Sequence, residues 1–252
     1  MKEKEQHMLL TRLRSSALIL GALLLLPFAL PVRAGVVAPG AVVEGKTLGE
    51  WSAEYWKWAF SFPVATNPLL DTTGEFAHLG DVGGPVFFVA AGGAGTVSRE
   101  FTVPGDRFLF FPMFTVAFYV GPGDTLADAQ QFVDGLFATT TELHASVDGV
   151  PIPDLFSRWE VSPVFSLTIP PDGLGAPGVY TEAYSGGFWI MLQPLPAGQH
   201  TLVFGGDNPA IGFTTETMAV VNVVPEPGSI GLMLLGGAGL LAARIRRLKR
   251  PE

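Results

Sequence analysis

The stretch Arg107–Val120, RFLFFPMFTVAFYV, decides the fold. After Arg107 it carries no charge, and aromatic and β-branched residues dominate it. Such a run reads as a strand. Working outward, PVFFVAA (85–91) and SREFTV (98–103) precede it. FSLTI (165–169), GFWIMLQPL (187–195), HTLVFGG (200–206) and TMAVVNVV (217–224) follow. Glycine and proline punctuate these runs, with PPDG (170–173) and PAG (196–198) as turns. In LHASVDGVPI (143–152), Asp148-Gly149 between two apolar runs predicts a hairpin. Many short strands at close spacing predict a mainly β body, an antiparallel β-sandwich or jelly-roll-like fold, rather than βαβ units.

Two helices are expected to flank it. In TLGEWSAEYWKWAFSFP (47–63), Leu48, Trp51, Tyr55, Trp58 and Phe62 recur at spacings of three and four, one face of a helix. Pro63 ends it. In TLADAQQFVDGLFATT (125–140), Thr125 and Asp128 resemble a capping box, and Phe132, Leu136 and Phe137 are the expected buried stripe. Gly35 to Gly45 reads as a leading edge strand or loop.

The two ends differ from the body. Lys2, Lys4, Arg12 and Arg14 precede an apolar stretch from Ala17 to Leu30, and Val32-Arg33-Ala34 offers a small-residue exit before Gly35. This predicts a signal peptide over 1–34, forming a signal helix and cleaved between Ala34 and Gly35. The other end, from Val224, reads VPEPGSIGLMLLGGAGLLAARIRRLKRPE. Pro225, Glu226 and Pro227 are followed by an apolar span, 228–243, and a basic stop of Arg244, Arg246, Arg247, Lys249 and Arg250. As a transmembrane helix the span reaches about 24 Å, short of a hydrocarbon core of about 30 Å. Snorkelling by Arg244 and local thinning of the bilayer make up the difference, with the basic end cytoplasmic.

Between these ends lies one domain, 35–224. It holds nineteen acidic and five basic side chains, a net −14 against −8 for the whole chain. That balance repels nucleic acid and anionic lipid. The chain has no cysteine, which excludes thiol catalysis and cysteine metal sites within it.

Signal peptide, acidic body, Pro-Glu-Pro, short span and arginine-rich end together resemble the PEP-CTERM sorting architecture of Gram-negative bacteria. The resemblance implies an exosortase-type membrane enzyme as partner and a precursor held in the inner membrane by its C-terminal helix. It also implies a location at the cell surface or in the matrix, with a link to exopolysaccharide and biofilm. The body also resembles a group of exported bacterial proteins of no assigned activity, through GKTLGEWSAEYWKWAFSFPVATNPLLDTTGEF, VPGDRFLFFPMF and SVDGVPIPDLFSRWEVSPVFSLTIP. In that group cysteines stand near the positions of Ala77 and Phe101, which implies a structural bridge lost here as a pair.

Candidate chemistry in the body is thin. Trp56 and Trp58 are candidate carbohydrate contacts, against a plain core role for the aromatic cluster. Glu50 and Glu54 lie one helical turn apart, but glycosidase carboxyls face each other across a substrate. His78, His144 and His200 show no HxH or HExxH spacing, and Asp71, Glu75 and Asp207 lack the spacing of a calcium loop. Turn capping suits Asp71 and Asp207 better. Ser185 in YSGGF lacks the first glycine of GxSxG, and AAGGAG (90–95) reads as a turn. No metal and no cofactor is expected. The expected function is an exported, non-catalytic surface or matrix protein. The alternative is a carbohydrate-binding module or carbohydrate-active enzyme.

Overall fold

The computed structural model describes residues 35–225. The expected signal helix and transmembrane helix, with Glu226, Pro227 and the basic stop, lie outside the described residues. Among the described residues, no helix is long and apolar enough to cross a membrane.

The body is mainly β, with two α-helices. A small hairpin of β1 (Val42–Val43) and β2 (Lys46–Thr47) leads into α1 (Leu48–Phe60). The strands that follow are β3 (Val86–Phe88), β4 (Gly95–Pro104) and β5 (Phe108–Tyr119). Then come α2 (Leu126–Thr139), β6 (Glu142–Val147), β7 (Val150–Pro151), β8 (Trp159–Val161) and β9 (Phe165–Ile169). The long strands β10 (Gly178–Leu192), β11 (Gly198–Asn208) and β12 (Phe213–Val224) close the chain.

One sheet runs β3-β5-β10-β8, with β9 also paired to β10; the other runs β4-β12-β11-β6-β7. Their facing sides share one core, with Leu109, Phe111, Phe188 and Ile190 from the first sheet and Val147, Leu202, Phe204 and Val221 from the second. The antiparallel expectation needs one correction. β3 runs parallel to β5, and β4 runs parallel to β12. Between β3 and β5 the chain crosses to the opposite sheet through β4 and returns, so β3 and β5 point the same way. A wholly antiparallel jelly roll is therefore not the architecture.

The charge-free runs follow from a third layer. In β10, Phe188, Ile190 and Leu192 face the sandwich core, while Trp189 and Met191 face α1. In β5, Leu109 and Phe111 face the sandwich and Phe110 faces α1. A strand buried on both faces loses its polar alternation. Pro112 is tolerated in this strand because the pairing with β3 ends at Phe110, and because the β10 register shifts by one residue beside it.

α1 carries the predicted stripe, with Leu48, Trp51, Tyr55 and Trp58 buried. Its start is a capping box formed by Thr47 and Glu50. Glu50 Oε2 accepts from Thr47 N at 2.7 Å and Thr47 Oγ1 at 3.0 Å, while Glu50 N donates back to Thr47 Oγ1. Gly49, in the first turn, lands on β8. A Cβ there would stand 2.1 Å from the Val161 carbonyl oxygen. Gly49→Ala would normally favour a helix by about 1 kcal/mol; here it is expected to destabilise by about 2 kcal/mol through backbone overpacking. A thermal midpoint that rises in this variant would refute the contact.

α2 also starts with its predicted box, Thr125 and Asp128, but its buried stripe is Ala129, Val133 and Leu136. Phe132 and Phe137 are 45% and 43% exposed, which corrects the expectation for both. α2 lies against Gly186 of β10, where a Cβ would meet Val133 at 2.5 Å. Small helix residues and a glycine allow that close approach, leaving the two phenylalanines at its margins. The Asp148-Gly149 hairpin forms as predicted, with Val147 paired to Val150 and both turn residues at positive φ, 52° and 74°.

Candidate functional site

Two places are candidates for function: the point where the chain leaves the body, and a cleft lined in part by the opposite end of β12. β12 is an inner strand, between β4 and β11. Its last residues are fully laddered, with Val224 opposite Pro104 and its carbonyl accepting from Gly105 N at 2.8 Å. Val223 is buried. The Pro-Glu-Pro segment therefore begins immediately beyond a fixed strand end, with no spacer. Gly35 leaves from the same end, since its carbonyl accepts from Gln193 N, just after β10 finishes.

The cleft has a volume of about 190 Å³ and occupies the space beside β5 where a longer β3 would lie. Tyr55 and Trp56 of α1, Leu69, Leu70, Met113, Phe114, Leu174 and Phe213 supply its apolar wall. Ala91, Gly92, Gly93, Thr115 and Thr215 complete it. Its polar groups are largely engaged with one another. Thr115 Oγ1 accepts from Trp56 Nε1 at 3.3 Å and donates to Gly186 O at 2.9 Å. Thr215 Oγ1 donates to Gly92 O, and Gly92 N donates to Thr217 Oγ1. Tyr55 Oη accepts from Ala91 N, and burial pushes its phenol pKa up. What the wall offers a guest is mainly hydrocarbon and ring surface.

Behind this wall, Arg99 of β4 is 4% exposed. Nη1 donates to Ala90 O at 2.5 Å, while Nε and Nη2 have no hydrogen-bond partner. Burial lowers its pKa, opposed by the neighbouring Tyr55 and Asp71. Arg99 does not line the cleft.

The structure separates the sequence candidates. Trp56 stands on the cleft wall, with its indole N–H committed to Thr115 and its ring tilted at 30° on Phe60, 5.4 Å away. It is half-buried rather than a flat exposed platform. Trp58, the other candidate sugar contact, is core instead: it is 7% exposed and donates to Leu79 O. Its spacing of seven from Trp51 and three from Tyr55 puts it on the buried face of α1. Glu50 is the third helical residue of α1 and closes its capping box, and hydrogen bonds from Thr47 hold its pKa down. Burial raises the pKa of Glu54, but Lys46 and Lys57, at 3.2 and 3.3 Å, bring it below the usual value. Neither carboxylate lines the cleft.

Ser185 is fully buried, its Oγ 3.2 Å from Ser52 Oγ. His144 lies 3.5 Å from Glu216 on the outer face of the second sheet. His200 places Nδ1 at 2.8 Å from Asp148 and Nε2 at 2.9 Å from Pro196 O, a clasp across the hairpin turn. Asp71 caps its turn as expected, accepting from Thr73, Gly74 and Phe76. Among the described residues no group of three or more metal-ligating side chains could hold an ion. Ala77 and Phe101 fall in the same core cluster. The cleft itself had no signal in the sequence, because its lining comes from segments scattered between Tyr55 and Thr215.

No curated protein matches the chain. Among solved structures, the solution structure of amebosin shares 12% identity over 51% of this chain and 96% of that one, with a TM-score of 0.21. The cysteine protease inhibitor EhICP2 from Entamoeba histolytica shares 11% identity over 52% of this chain and 88% of that one, also with a TM-score of 0.21. Likenesses this slight carry no argument about the fold or its use. At the C-terminal end, residues 223–247 match the PEP-CTERM protein-sorting motif. Such a motif implies export and a membrane-anchored precursor handled by an exosortase-type membrane enzyme. The chain therefore carries a PEP-CTERM sorting motif, joined without a spacer to the last strand of its β body.

Proposed function

We propose that this is an exported, non-catalytic protein of the cell surface or extracellular matrix. Its signal segment, 1–34, is removed between Ala34 and Gly35, and its tail is delivered to the sorting enzyme through Pro225, Glu226 and Pro227. The span 228–243 holds the precursor in the inner membrane, and the basic stop from Arg244 to Arg250 stays on the cytoplasmic side. The body then serves the exopolysaccharide envelope, with its cleft accepting one small, chiefly apolar group. The match of the motif to residues 223–247 carries this reading. The acidic surface supports a body that stays free of nucleic acid.

A carbohydrate-binding module is the second reading, favoured by Trp56 on the cleft wall. A sugar seated there would set most of its hydroxyls against Leu69, Leu70, Met113 and Phe213, and unpaired buried hydroxyls are costly. A carbohydrate-active enzyme is weaker still, because Glu50 and Glu54 are committed to the cap and the lysines of α1.

Removing 225–252 tests the sorting reading. The truncated protein is expected to leave the membrane and surface fractions and to collect in the soluble exported fraction. Intact mass of the full-length protein from each fraction is expected to begin at Gly35. An end near Pro225 would show that the tail is cut, and a mass retaining 228–252 that it is a lasting anchor. If the truncated protein partitions as the full chain does, sorting by the tail is wrong.

A further inference from the structure

The two ends of the sandwich differ in charge as well as in content. Val224, the β4–β5 turn at Gly105–Arg107, the β10–β11 turn at 193–197 and Gly35 share one end. Arg107 there lies 2.6 Å from Asp106 and 3.8 Å from Asp81, and Asp148 nearby is clasped by His200. Val82, Val150 and Val224 are exposed around it.

The other end is acidic. Glu142 faces Asp207 across the β6–β11 ladder, and Glu216 stands opposite Gly205 on β12. Glu182 pairs with Val120 just past the end of β5, and Asp124 and Asp128 follow it. The cleft lies between the middle of β5 and this acidic end, since Met113, Phe114 and Thr115 line it together with Phe213 and Thr215, which begin β12. β12 spans twelve residues, so the two ends are about 36 Å apart at ~3.3 Å per residue.

We infer that, in the tail-bearing protein, the end around Val224 rests on the phospholipid surface and the cleft faces away from it. This rests on the reading of the tail as a membrane-held segment. The tail begins directly after a laddered strand, and the three residues before the apolar span reach at most about 11 Å, too short a tether for a body this long to turn over. The surface pressed to the bilayer is the less acidic one, where Arg107 offsets part of the charge of Asp81 and Asp106 beside exposed valines. The six carboxylates at the far end stand several screening lengths from anionic headgroups, the screening length being about 8 Å at physiological ionic strength. A body docked the other way up would bring that acidic end against anionic lipid, which repels it.

The absence of cysteine makes the test clean, because any introduced thiol is unique. Three exposed turn positions suit it: Ala197→Cys and Val82→Cys near Val224, and Ile211→Cys at the cleft end. Each full-length variant carries a fluorophore and is reconstituted into phosphatidylcholine vesicles containing a nitroxide-headgroup lipid. Flotation with the vesicles is scored first. Probes at 197 and 82 are expected to be quenched at least about two-fold more than the probe at 211, given the length of the strand between them. Flotation with equal quenching at all three positions, or with stronger quenching at 211, overturns the orientation while leaving the anchoring intact. Failure to float overturns the anchoring and the orientation with it.

Discussion

Trp189→Ala is expected to cost about 4 kcal/mol of folding stability, near the middle of the range for a large buried aromatic. Trp189 is fully buried in the middle layer. Its ring stacks on Phe110 at 4.7 Å and meets the edge of Tyr55 at 5.0 Å. Tyr55 in turn touches Trp58 and Phe88. Truncation opens a cavity beneath α1 that these rings cannot collapse to fill. Trp189→Phe should be far milder, about 1 kcal/mol, because it keeps a ring and also removes an indole N–H that has no partner in the core. Equilibrium urea unfolding of both variants checks the pair. An alanine variant within 1 kcal/mol of the parent, in the sense of that same cavity cost, would mean that α1 does not depend on this seat.

The second large effect is expected at Asp71. Its Oδ1 accepts from Thr73 N at 2.8 Å, Thr73 Oγ1 at 2.9 Å and Gly74 N at 3.0 Å, and its Oδ2 from Phe76 N at 2.9 Å. The loop so tied covers the outer edge of β4. Thr73 O accepts from Glu100 N, and a Cβ on Gly74 would stand 2.4 Å from Glu100 O. Asp71→Ala leaves three backbone N–H groups without their acceptor and is expected to cost about 3 kcal/mol. It also opens an edge strand to pairing with other chains.

The pH dependence has a definite sign. Burial raises the pKa of Asp71, but the bonds from Thr73, Phe76 and Gly74 outweigh it and bring the folded value below the ordinary one. A depressed folded pKa contributes stability that is fully present above the unfolded value, about 4. That contribution is lost as pH falls through the lower folded value. Asp71→Asn should therefore be less stable than the parent at neutral pH, with the gap narrowing in acid. A gap that stays constant down to about pH 2 would show that the carboxylate charge contributes nothing.

Particular residues show how far the sequence could be read. The spacing of Leu48, Trp51, Tyr55 and Trp58 fixes which face of α1 is buried, whatever it packs against. Asp148-Gly149 is bound to turn because its conformation favours those residues. Phe132 and Phe137 looked like a core stripe because hydrophobicity alone does not say which side a partner will cover. β10 presents Gly186 to α2, and the close approach selects Ala129 and Val133 over the larger rings. The unbroken apolar runs of β5 and β10 read as strands but could not say that one face meets a sheet and the other a helix.

By itself, then, the sequence determined the local elements, the acidic balance and the sorting tail, since each is written in neighbouring residues or in composition. Tertiary structure alone decided the two parallel ladders, the place of Trp56 on a cleft rather than on a platform, and the opposition of that cleft to the end where the chain departs. Those features depend on which distant segments meet. A short β3 beside a long β5, and a twelve-residue β12 linking cleft to tail, are juxtapositions that no local pattern encodes.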